Sequence, residues 1–259
     1  MPTIKEIRSY YNKDAGPNII RNLSRATAAY WARILLYTSI TGNQVSLIMG
    51  ILAIISSILF AFGSYGYILT GVILLYLQRN LDDVDGLIAR YRGSASMRGI
   101  YVDLIISTMT GPLTYMGLTL GVFKMTNSII FLTFGLLATA FSLLAESPPY
   151  LKHQGLVMKL IQYSRGEKLD DLKNKSFKES PLTAKKQELW KKYATKSLEF
   201  LGFYYSLFLL LPLAIFDLTP WYLVFYGITL PLKWLVLTFY EFKTSYNHLE
   251  YLFKPYQPK

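Results

Sequence analysis

Twenty consecutive residues, 44–63, pass without a single charged side chain. A helix of that length covers about 30 Å at 1.5 Å per residue, the hydrocarbon thickness of a bilayer. Few folds tolerate such a run, and it is not alone. A second begins after the uncharged turn Gly63-Ser64-Tyr65-Gly66 and meets Arg79 about twelve residues beyond Tyr67. Twelve residues are too few to span. The helix is therefore expected to continue through Arg79 to residue 90, carrying the acids that follow it to the membrane surface. Further apolar runs cover 99–123, 125–145, 200–216 and 221–240. A kink is expected in the third run at Gly111-Pro112. The fold class expected is all-α: a polytopic membrane protein of one domain over 1–259, with six transmembrane helices.

Composition alone would not say this. The chain of 259 residues is 52% hydrophobic, close to the norm for soluble domains, so the distribution carries the inference. Residues 150–198 form a basic loop with twelve Lys or Arg against five acids. If both termini are cytoplasmic, the segments on that side hold 25 of the 27 Lys and Arg, as the positive-inside rule requires. The exceptions are Lys124, in an outer loop, and Lys233, inside the sixth run, where it either lines a pocket for an anionic ligand or snorkels along the helix. The net charge of +11 flanks apolar runs, so membrane lipids and not nucleic acid are the partners expected. The start Met1-Pro2-Thr3-Ile4-Lys5-Glu6 lacks an early apolar core, and no signal peptide is expected there. With no cysteine, disulfides and thiolate metal sites are excluded.

Ahead of the first run, Ile20, Leu23, Ala26, Tyr30, Trp31, Ile34 and Leu35 recur mostly at three- and four-residue steps, with Arg21, Arg25 and Arg33 largely off that face. This pattern predicts an amphipathic surface helix over 19–38, with Tyr30 and Trp31 at headgroup depth.

The chemistry concentrates in Asp82-Asp83-Val84-Asp85-Gly86-Leu87-Ile88-Ala89-Arg90, followed by Gly99, Asp103 and Ser107. Asp82 and Asp85 share a helix face, with Gly86 one turn beyond Asp82. Gly99, Asp103 and Ser107 form a second stripe at four-residue steps. Two such helices meeting at their glycines would gather three carboxylates, the outline of a divalent-cation site. Ionisable groups at membrane depth are expensive and are kept more often for function than for packing.

The spacing Asp82-x-x-Asp85-Gly86-x-x-Ala89-Arg90, eight residues, Gly99-x-x-x-Asp103 fixes seven positions over twenty-two residues. It resembles the signature of the CDP-alcohol phosphotransferases. The six runs, the preceding surface helix and Thr41-Gly42-Asn43-Gln44-Val45-Ser46 resemble that family too. The resemblance implies metal-dependent transfer of a substituted phosphate from a CDP-linked donor (CDP-diacylglycerol or a CDP-alcohol) to an alcohol or sugar-alcohol acceptor, releasing CMP in phospholipid or related lipid synthesis. It implies two Mg2+ or Mn2+ ions, with Asp82, Asp85 and Asp103 as ligands and Asp103 in the catalytic set. It also implies nucleotide contacts from Asn43, Gly86, Ala89, Arg90 and Gly99, an active site on the cytoplasmic side, and a tendency to form homodimers. One position departs: where the pattern places a fourth Asp, as metal ligand and general base, this chain has Ser107. A serine is neutral and a weak ligand, so the second metal site is expected to be weakened. Asp83 or water would then have to replace the base, or the chain would bind its CDP-linked ligand without turnover.

Overall fold

The computed structural model describes residues 3–11, 19–144 and 203–253, and every regular element among them is an α-helix. The basic loop expected over 150–198 lies outside the described residues. Helix α1 spans Ile4–Ser9 and α2 spans Ile19–Leu36. Helices α3 (Gly42–Ala61), α4 (Tyr65–Tyr91), α5 (Met97–Thr126) and α6 (Ile129–Leu144) follow, then α7 (Phe203–Ile215) and α8 (Thr219–Phe253).

These bounds follow from local chemistry. Thr41 caps α3, its hydroxyl accepting from the Gln44 amide while the Gln44 side chain accepts from the Thr41 amide. That reciprocal pair satisfies two of the donors a helix start leaves orphaned. Gly63, at φ 72°, turns the chain between α3 and α4. As its short apolar run required, α4 continues unbroken through the acidic motif to Tyr91. Helix α5 likewise runs on through Pro112 to Thr126. Helix α8 extends beyond the expected end at residue 240, to Phe253.

Helix packing closes a ring. Helix α3 packs against both α4 and α5, α4 against α7, α5 against α6, and α6 against α8, which also meets α7. One core fills the half of this ring farther from the acidic motif. Phe60, Leu75, Leu118, Leu210, Tyr222 and Tyr226 are essentially inaccessible there. Helix α5 approaches α3 closely because Gly117 and Gly121 face the backbone carbonyls of Ser57 and Phe60, leaving no room for a β-carbon. Two helices, Gly42–Ala61 and Thr219–Tyr240, are long and apolar enough to cross a membrane.

A second core lies behind the acidic motif. Leu81, Val84, Leu87 and Ile88 of α4 pack there against Ala28, Ala29 and Ala32 of α2 and Ile7 of α1. The inward face of α2 is thus a stripe of alanines, small enough for two helices to lie close, while Tyr30, Trp31 and Ile34 face outward. Sequence periodicity grouped the bulky residues and understated the alanines. The short α1 was not anticipated at all. It is held by a capping box between Thr3 and Glu6 and by burial of Ile7.

Candidate functional site

Each acid of the motif leaves α4 in a different direction and finds a different partner. Asp82, about one quarter exposed, is paired with Arg79 one turn earlier. Asp83 lies on the opposite flank, where its carboxylate accepts from the Ser24 hydroxyl at 2.5 Å. Nearby, Thr27 of α2 donates to the Asn80 side chain at 2.6 Å. Asp83 therefore anchors α2 and is directed away from the other acids, which removes it as a substitute base. Tyr11 seals the same flank: its hydroxyl donates to the Arg25 carbonyl at 2.7 Å and its ring lies 5.0 Å beneath the Arg25 guanidinium. Burial, reinforced by the charge of Asp83, pushes the Tyr11 hydroxyl well above its ordinary range, so it remains a donor. Ser24→Ala is expected to cost about 1 kcal/mol, since it strips a charged acceptor of its partner at a half-buried position. A thermal-unfolding comparison with wild type would measure it, and an unchanged midpoint would remove the anchor.

Asp85 points into the bundle and is only 7% exposed. Its two oxygens are both engaged, one accepting from the Ser46 hydroxyl and the other from the Gly86 amide, each at 2.5 Å. Ser46 is itself buried on α3, one turn after Gly42. The seat is completed by Gly42: a β-carbon there would lie 2.7 Å from the Asp85 carbonyl oxygen and 3.2 Å from the Ala89 methyl.

On the third helix, Ser96 caps α5 by accepting from the Gly99 amide at 3.1 Å. Asp103 is partly buried and accepts from Ser107 one turn later across a long 3.4 Å. Asp103 is close enough to Asp85 for the two charges to act on each other, and close enough to Arg79 to feel its charge. The acids of α4 and α5 therefore do approach, although they are separated in sequence by the whole turn between the helices.

They do so without the glycine-to-glycine contact expected. Helices α4 and α5 hardly touch, because α3 packs against both. Gly99 faces Asn43 of α3, whose side-chain oxygen stands 2.6 Å from where a β-carbon would sit. Ala89 faces Gly42, and Gly86 lies beneath the Arg90 guanidinium, 3.1 Å from its nearest nitrogen by the same construction. Asn43, Arg90 and Ser107 are exposed around this end of the bundle. Arg92 fastens the rim by donating to the carbonyls of Ile40 at 2.6 Å and Thr38 at 2.5 Å. Lys233 is buried in α8 instead of lying along its surface.

Sequence reasoning missed Gly42 and Ser46, both on a helix read only as a span. The available signal was their one-turn spacing directly after Thr41. It also missed the commitment of Asp82 to Arg79.

Among the described residues, no three Asp, Glu, His or Cys side chains converge as a ready metal cluster. The donor chemistry nevertheless suits a hard divalent cation: Asp82, Asp85 and Asp103 offer only carboxylate oxygens, and two of the three are within electrostatic reach of each other. Gathering all three requires Asp82 to exchange Arg79 for the ion. In comparisons with known proteins, the chain matches no protein-family model and no curated protein.

Proposed function

We propose that this protein is a CDP-alcohol phosphotransferase-type membrane enzyme with six spans, α3 to α8, and α2 lying on the cytoplasmic surface. The acidic end of the bundle and both termini face the cytoplasm. The reading is carried by one observation: α3 brings carboxylates from α4 and α5 together at the end where the signature spacing of acids and glycines lies.

Asp82, Asp85 and Asp103 would hold Mg2+ or Mn2+. When bound, such an ion neutralises pyrophosphate charge and eases departure of the CMP phosphate. Asn43 and Arg90, exposed at the mouth, are placed to meet the nucleotide and its phosphates. The acceptor hydroxyl oxygen attacks the phosphorus of the substituted phosphate. The bond from that phosphorus to the bridging oxygen breaks, and CMP leaves with the electron pair. The hydroxyl proton passes to water, because Ser107 is a neutral hydroxyl already donating to Asp103. Buried, doubly bonded Asp85 is the fixed member of the set, and Asp82 the mobile one.

Purified full-length protein, given CDP-diacylglycerol or a soluble CDP-alcohol with a panel of alcohol and sugar-alcohol acceptors, is expected to release CMP only when Mg2+ or Mn2+ is present. The neutrality of Ser107 favours a second reading, a protein that binds a CDP-linked ligand without turnover. In that case CDP binds, CMP release is silent across the panel, and Ser107→Asp confers turnover. Absence of both CDP binding and CMP release would overturn the two readings together.

A further inference from the structure

Arg79 occupies a position that neither the motif nor a simple surface ion pair accounts for. It precedes Asp82 by one turn, contacts that carboxylate, and acts through its charge on Asp103 of α5. It therefore lies between two of the three proposed ligands, on the side of the set away from buried Asp85. The cation there is a guanidinium, which stays charged at all accessible pH and presents planar donors matched to carboxylates. It cannot vacate the position by losing a proton.

The charges on this end of the bundle then follow. Asp82, Asp85 and Asp103 bring three negative charges, and Ser107 brings none where a fourth carboxylate would complete a two-ion set. One positive charge from Arg79 leaves two negative charges, which a single divalent cation neutralises. A second ion would meet an uncompensated positive field and an acid already engaged. Arg90 does not play the same part, since it is exposed over Gly86 and solvent screens its charge.

We propose that Arg79 is a built-in substitute for the second metal ion, so that the site takes one divalent cation per chain. The inference rests on the metal-dependent reading above and adds to it a stoichiometry and a residue. Arg79 is a positioning residue in this view, holding Asp82 until the ion arrives.

Mn2+ binding to the full-length protein in detergent or nanodiscs, counted by calorimetry and by the loss of free-Mn2+ paramagnetic signal, tests it without reference to turnover. Wild type is expected to bind one Mn2+ per chain. Arg79→Gln should bind Mn2+ about tenfold more tightly, as a competing positive charge is removed and Asp82 is freed. Arg79→Gln combined with Ser107→Asp should bind two. Arg79→Lys should keep the wild-type count, with affinity nearer wild type than that of Arg79→Gln, and keeps the test available if Arg79→Gln fails to fold. Two ions in wild type, or unchanged or weaker binding in folded Arg79→Gln, would overturn the role of Arg79 alone. No Mn2+ binding in wild type would overturn the metal-dependent reading as well.

Discussion

Asn in place of Asp82, Asp85 or Asp103 is expected to lower CMP release by at least about a thousandfold while leaving the bundle folded. The change is nearly isosteric and removes charge with little loss of shape. At position 85 an amide oxygen still accepts from Ser46 or from the Gly86 amide, so the buried seat persists. At position 103 the bond from Ser107 is already long and contributes little. At position 82 the loss is a helix-surface ion pair with Arg79, worth a few tenths of a kcal/mol. Stability is therefore nearly untouched, whereas an ion held by three carboxylates loses a third of its ligand charge. Initial rates of CMP release, taken beside helicity and melting temperature, separate the two. Rates within about tenfold of wild type in folded Asp85→Asn and Asp103→Asn would show that these acids only cap helix ends.

Legibility of the chain from sequence divides along a physical line. Periodicity and uncharged length are properties of one helix at a time. They located α3 to α8 and foresaw that α4 must run through the motif, because its apolar stretch was too short to stand alone. Facing contacts between helices leave no such periodic trace. Nothing in the spacing of Gly86 and Gly99 could show that α3 would lie between them, filling the one side with Gly42 against Ala89 and the other with Asn43 against Gly99. The motif fixed which residues gather at this end of the bundle, but not which partners they hold. Asp83 is the clearest case: adjacent to Asp82 in sequence, it is turned by the helix toward Ser24 and does structural work on α2. The alanine face of α2 escaped for a related reason, since close packing selects small side chains that a hydrophobic pattern weighs lightly.

Gly42→Val separates the role of α3 from that of the acids themselves. It is expected to destabilise the protein by about 2 kcal/mol and to lower CMP release by about a hundredfold, with every carboxylate still in the chain. A β-carbon at position 42 meets the Asp85 carbonyl at 2.7 Å, and backbone held inside a continuous helix cannot swing aside as a side-chain tip would. Helix α3 must then move off α4. Ser46, one turn along, moves with it and leaves Asp85, and Asn43 shifts from its place against Gly99. A displacement of about 1 Å at a reacting set can cost two orders of magnitude in rate. Gly66→Ala is the matching control on α4: nothing lies within 4 Å of its added methyl, so replacing a helical glycine there should be neutral or stabilising by less than about 1 kcal/mol. Thermal unfolding and CMP release measured on both variants decide the matter. If Gly42→Val melts and turns over like Gly66→Ala, α3 does not seat Asp85, and the site must be built by α4 and α5 alone.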